Sequence, residues 1–168
     1  MFDKFGKFNG VEELNEKAAE LMVAKDYEGI KALAKENGID TEDAEDFIDG
    51  VIPIFATPYC AVTGRIEVES EELQPYEIMA DWVSYIKATV LENPDMCEAI
   101  MKKDKSLKGC IASLLKWSLG HQYTIPSDIV KESGISAGRV TLGIPGIGTA
   151  KKLIREYYLG GEVCKEKK

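Results

Sequence analysis

A chain of 168 residues with 45% apolar and 30% charged residues has enough apolar material for one ordinary core and is not composed like a disordered segment. No apolar run approaches the ~18 residues that cross a bilayer, and MFDKFGKFNG carries charges and glycines where a secretory leader would be hydrophobic; this predicts a cytoplasmic protein with no membrane partner. The net charge of −8 is divided: residues 1–100 hold 23 Asp/Glu against 8 Lys/Arg, and residues 101–168 hold 6 against 13.

The first acidic stretch reads as helices. Phe2, Phe5 and Phe8 precede a helix over 11–25 and are expected to pack on it. Val11, Leu14, Ala18, Leu21 and Met22 line one face. A second helix over 27–37 buries Ile30, Leu33 and Ala34 and stops at Asn37-Gly38-Ile39, where glycine takes the left-handed cap. Asp40 or Thr41 then caps a third helix over 42–49, with acids in the first turn where the helix dipole favours them. Ala44, Phe47 and Ile48 form its inner face. The apolar run 51–60 carries Pro53 and Pro58, and Thr57-Pro58 has the form of a cap followed by a first-turn proline. A helix from there to Leu73 competes with a strand suggested by the alternation Ile66-Glu67-Val68.

Gln74-Pro75 opens a helix to about Leu91 that buries Ile78, Met79, Trp82, Ile86 and Val90. Asn93-Pro94 opens another, over 95–102. The strongest amphipathic pattern is SLKGCIASLLKW, residues 106–117, with Leu107, Cys110, Ile111, Leu114, Leu115 and Ser118 on one face. It is expected to be the central helix. After a turn at Gly120-His121-Gln122 come a short helix over 127–133, a possible strand over 140–144, and a last helix over 150–159 capped by Thr149. The fold class is therefore mainly α: a single compact helical domain with at most a small β element near Ile66 or Val140. It divides into an acidic helical region over 1–50, a helical core over 51–161 and a flexible tail over 162–168.

The chemistry-bearing residue types are sparse. Cys60, Cys97, Cys110 and Cys164 are widely spaced and contain no CxxC pair, so they read as reduced structural thiols and not as a zinc site. The lone histidine, His121, sits by a glycine turn with no identifiable nucleophile, so no enzyme and no cofactor are expected. PGIGTAKKLI at 145–154 is similar to a helix-hairpin-helix loop but places Lys152 where that motif needs a small packing residue. The pair of helices at 111–117 and 127–133 has a helix-turn-helix outline with only Lys131 as a basic reader.

Two charged surfaces remain as candidate sites. Asp40, Glu42, Asp43, Asp46 and Asp49 are the densest acids and suit a partner's basic groove; Asp40 and Glu42 do not open an EF-hand loop, since its glycine and terminal glutamate are missing. Lys103, Lys108, Lys151, Lys152 and Arg155 are the alternative, a nucleic-acid face. Either set also fits an ordinary solvated helix face.

KSLKGCIASLLKW at 105–117, IPSDIV at 125–130 and IREYYLGG at 154–161 give residues 105–158 a resemblance to the PcfK-like family, small proteins of conjugative plasmids and other mobile elements of Gram-positive bacteria. The resemblance implies a mobile-element accessory protein, and some members are considered inhibitors of the RNA-guided DNA nuclease of type II CRISPR systems. It brings no functional residues with it. The expectation is a protein-binding inhibitor of that nuclease; the alternatives are a nucleic-acid-binding accessory of conjugation or replication and a helical adaptor with no nucleic-acid role.

Overall fold

The computed structural model describes residues 2–160 and contains nine helices among them: α1 (Val11–Val23), α2 (Tyr27–Asn37), α3 (Thr41–Ile48), α4 (Pro58–Leu73), α5 (Ile78–Glu92), α6 (Pro94–Met101), α7 (Leu107–Gly120), α8 (Ser127–Glu132) and α9 (Ile147–Leu159). Two short strands, β1 (Tyr123–Thr124) and β2 (Thr141–Leu142), pair antiparallel with Tyr123 opposite Leu142. The chain is mainly α and folds as one body. No helix among the described residues is long and apolar enough to cross a membrane. The tail expected over 162–168 and Cys164 lie outside the described residues.

Local chemistry sets the helix ends. Asp26 accepts from the Gly29 N–H and starts α2. Gly38 ends it at φ 64°, and the buried Ile39 returns its N–H to Ala34 at 2.9 Å. Asp40, and not Thr41, is the cap of α3. Thr57 and Asn93 cap α4 and α6, each followed by a proline. Between α3 and α4 the chain doubles back over α1. The Asn15 amide donates to the Ala56 carbonyl at 2.9 Å and accepts the Ala56 N–H at 2.8 Å, while Phe55 meets Phe47 edge to face at 5.6 Å. The two-way amide bond satisfies a backbone unit that the turn leaves without a ladder partner.

Packing corrects three expectations. The central helix is α4, which touches α2, α5, α6 and α7, whereas α7 packs on α4 and α9. Ile66 is buried inside α4 and is not on a strand; the small β element is the one at Thr141. On α7, Leu107, Cys110 and Leu114 are buried but Leu115 is 57% exposed. Two helix starts also shift: α5 begins at Ile78, itself exposed, and α9 begins at Ile147 with Gly146 as its cap, so Thr149 lies inside the first turn. The phenylalanines at 5 and 8 pack on the body as expected, Phe8 fully and Phe5 partly.

The α2–α4 contact is a backbone-to-backbone approach. A Cβ on Gly64 would press on the Asn37 carbonyl and stand 2.7 Å from the Gly38 carbonyl oxygen. Neither obstacle is a flexible side chain, so the helices would have to separate. We expect Gly64→Ala to lower the unfolding free energy by about 1–3 kcal/mol in urea titrations, despite alanine's better helix propensity.

Candidate functional site

The acids of α3 point away from the core because Ala44 is fully buried and Phe47 and Ile48 pack inward. That phase leaves Glu42, Asp43 and Asp49 exposed and Asp46 half-buried. Asp40 is exposed, yet its carboxylate already accepts the Glu42 N–H at 2.9 Å as the helix cap. The neighbouring Glu45 pairs with Lys31 at 3.3 Å. Three of the five predicted acids thus present carboxylates outward from a short, firmly anchored helix. Their field reaches α4: burial, then Asp43 and Asp40, push the Cys60 thiol above its ordinary range. A raised pKa keeps that sulfur a neutral thiol. Cys110, on the buried face of α7, is pushed up to about 12 by desolvation alone and is inert packing.

The basic candidates turn to different neighbours. Lys103 reaches α1 and pairs with Glu13 at 3.0 Å; the Asn9 N–H, and then Lys103, hold the Glu13 carboxyl below its usual range. Lys151 lies over the Tyr85 ring of α5 at 5.1 Å, and Lys152 pairs along its own helix with Glu156 at 3.7 Å. Lys108 and Arg155 are exposed on α7 and α9. The set is therefore divided among contacts to α1, α5 and α9 and does not form one open stripe. The helix-turn-helix outline also dissolves: α8 is carried between β1 and β2 and buries no residue, so it is not packed as a second helix on α7.

The most buried polar cluster was not visible in the sequence pattern. Arg65 of α4 is 3% exposed. Its guanidinium donates to the carbonyls of Lys102 at 3.0 Å, Lys105 at 2.7 Å and Phe8 at 3.4 Å, to that of Met101, and to Glu69 Oε1 at 3.3 Å. Glu69 in turn accepts from Lys7 Nζ at 2.8 Å and from the Leu107 N–H. Arg65 thereby caps the carbonyl end of α6, and Glu69 caps the amide end of α7, each with the charge that suits the helix dipole. This pair holds the N-terminal arm, α6 and α7 together as a framework under the surface, and Glu69 also borders a small cavity with Phe2, Lys7 and Lys108. The one sequence signal was an Arg and a Glu four apart, in a stretch that also carries Thr63 and Glu67.

Compared with protein-family models, with curated proteins and with solved structures, the chain finds no match.

Proposed function

We propose that the chain is a binding protein of a mobile element that inhibits a type II RNA-guided DNA nuclease in the cytoplasm, by laying the acidic face of α3 in the enzyme's basic nucleic-acid groove. The observation that carries the reading is the outward set of Glu42 and Asp43 on α3 and Asp49 at its C-cap, on a helix anchored by Ala44 and the Phe47–Phe55 contact. Carboxylates held on a rigid support imitate a phosphate row at little entropic cost. The resemblance of residues 105–158 to PcfK-like proteins supplies the choice of nuclease.

The test is inhibition of guided DNA cleavage by purified protein across two salt concentrations. Glu42→Gln, Asp43→Asn and Asp49→Asn together should slow association about tenfold and flatten its salt dependence. Losing first-turn acids weakens the helix dipole interaction by about 0.3–1 kcal/mol each, so circular dichroism must show the fold retained. A matched variant neutralising Lys108, Lys151, Lys152 and Arg155 should inhibit like the unmodified protein. The reverse pattern would place the activity on the basic residues, and steeply salt-dependent gel shifts with free DNA would favour the nucleic-acid accessory.

A further inference from the structure

A groove of about 1000 Å³ opens where the first turns of α1, α4 and α6 meet the last turn of α5. Its floor is apolar and already buried, formed by Val62, Val90 and Met101. Two large apolar side chains in its walls remain open to solvent, Tyr59 at 49% and Leu91 at 67%. Its rim carries three exposed carboxylates, Glu12, Glu92 and Glu98, and no lysine or arginine lines it among the described residues.

Three helix N-termini face this groove, which by itself would favour an anion. At α4 and α6 the donors are largely taken, whereas α1 starts at Gly10 without a side-chain cap. The Cys60 N–H is held by Thr57 Oγ1 at 3.2 Å, and the Asp95 and Met96 N–H groups by Asn93 Oδ1 at 3.0 and 3.3 Å. Pro58 and Pro94 have no N–H to offer. The end of α5 adds backbone carbonyls without intrahelical partners, beside Glu92. An entering anion would find uncapped donors at α1, but there beside the first-turn acids Glu12 and Glu13, and would meet Glu92 and Glu98 elsewhere; a cation meets acceptors on several sides.

We propose that this groove docks a basic amphipathic peptide segment of a partner protein, with apolar side chains against Tyr59 and Leu91 and lysine or arginine heads on Glu12, Glu92 and Glu98. The apolar floor with a one-signed rim is the pattern of helix-in-groove recognition, in which anchors give affinity and flanking charges give orientation. The inference does not depend on the nuclease reading, since the groove is built from α1, α4, α5 and α6 and not from α3.

The probe is a fluorescently labelled amphipathic peptide of leucine and lysine, followed by anisotropy at physiological salt, beside a leucine and glutamate peptide of the same spacing. The lysine peptide should bind and the glutamate peptide should not. Glu12→Gln, Glu92→Gln and Glu98→Gln together should weaken binding about tenfold, the sum of three exposed ion pairs. Neutralising Glu42, Asp43 and Asp49 removes the same charge from α3 and should cost no more than about twofold. Tyr59→Ser with Leu91→Asn, both at exposed positions that tolerate change, should weaken binding comparably to the groove carboxylate variant. Absence of binding, equal losses from the two carboxylate sets, or indifference to Tyr59 and Leu91 would overturn the proposal. Dimerisation of the protein alone, abolished by the groove variants in sedimentation, would give the groove to a second copy and overturn it likewise. Nuclease inhibition measured on the same variants separates this outcome from that of the α3 face.

Discussion

Replacing Arg65 by alanine will lower the unfolding free energy by about 3–5 kcal/mol, the cost of leaving a buried charge and its partners uncompensated. The variant leaves Glu69, 7% exposed, with only Lys7 as a counter-charge, strips the Met101 carbonyl of its side-chain donor, and leaves the Lys102 and Lys105 carbonyls with only the Lys105 N–H at 3.0 Å and Lys7 Nζ at 3.5 Å, respectively. Replacing the pair by apolar residues of similar volume often restores stability in other buried ion pairs. Here Arg65→Met with Glu69→Leu should recover little, because most of the guanidinium's partners are backbone oxygens that the second change does not remove. Arg65→Lys should also fail to rescue, since an ammonium on a flexible stem cannot reproduce the planar fork that spans four carbonyls and a carboxylate. Glu69→Gln is the milder arm. It keeps an acceptor for the Leu107 N–H but loses the charge that Lys7 and Arg65 face, and should cost about 1.5–3 kcal/mol. Urea unfolding of all four variants reads these values; an Arg65→Ala loss under about 1 kcal/mol would mean that water reaches those carbonyls and that the pair is not the framework described.

What could be read from the sequence follows from where each determinant lies. Helix ends were legible because their chemistry is local: Asn37-Gly38, Thr57-Pro58 and Asn93-Pro94 each supply their own cap within a few residues. The identity of the central helix was not. A helix surrounded on several sides shows weak periodicity, and α4 buries Gly64, Arg65 and Glu69, residue types that a pattern search assigns to a surface. Apart from each other, Arg65 and Glu69 find their partners 36 to 62 residues away, as in Met101 and Lys7, and Gly64 meets Gly38 of another helix, so little nearby in the chain announces them. The same limit applies to the candidate sites. The α3 acids were legible as a solvated face because Ala44, Phe47 and Ile48 fix the phase, although the choice of Asp40 over Thr41 as the cap and Asp46's partial burial emerge only from the folded chain. The groove between α1, α4, α5 and α6 assembles Glu12, Glu92 and Glu98 from opposite ends of the acidic half, and no spacing rule connects them.

Leu114→Ala should cost about 2–5 kcal/mol, while Leu115→Ala, one residue away on the same helix, should change stability by no more than about half a kcal/mol. The two leucines are chemically identical and point about 100° apart around α7. Leu114 is fully buried and continues the stripe begun by Leu107 and Cys110, spaced by three and then four residues, toward α4 and α9. Truncation there removes transfer free energy and leaves a cavity that packed helices close only in part. Leu115 is 57% exposed, and four residues on Leu119 is 67% exposed, so truncation leaves no cavity and gains slightly from alanine's helix propensity. Side-by-side urea titrations decide the phase of α7. Equal, large losses at both positions would show that the Leu115–Leu119 side is covered in solution and that α7 is enclosed on more faces than its contacts with α4 and α9 provide. A negligible loss at Leu114 would instead remove α7 from the core.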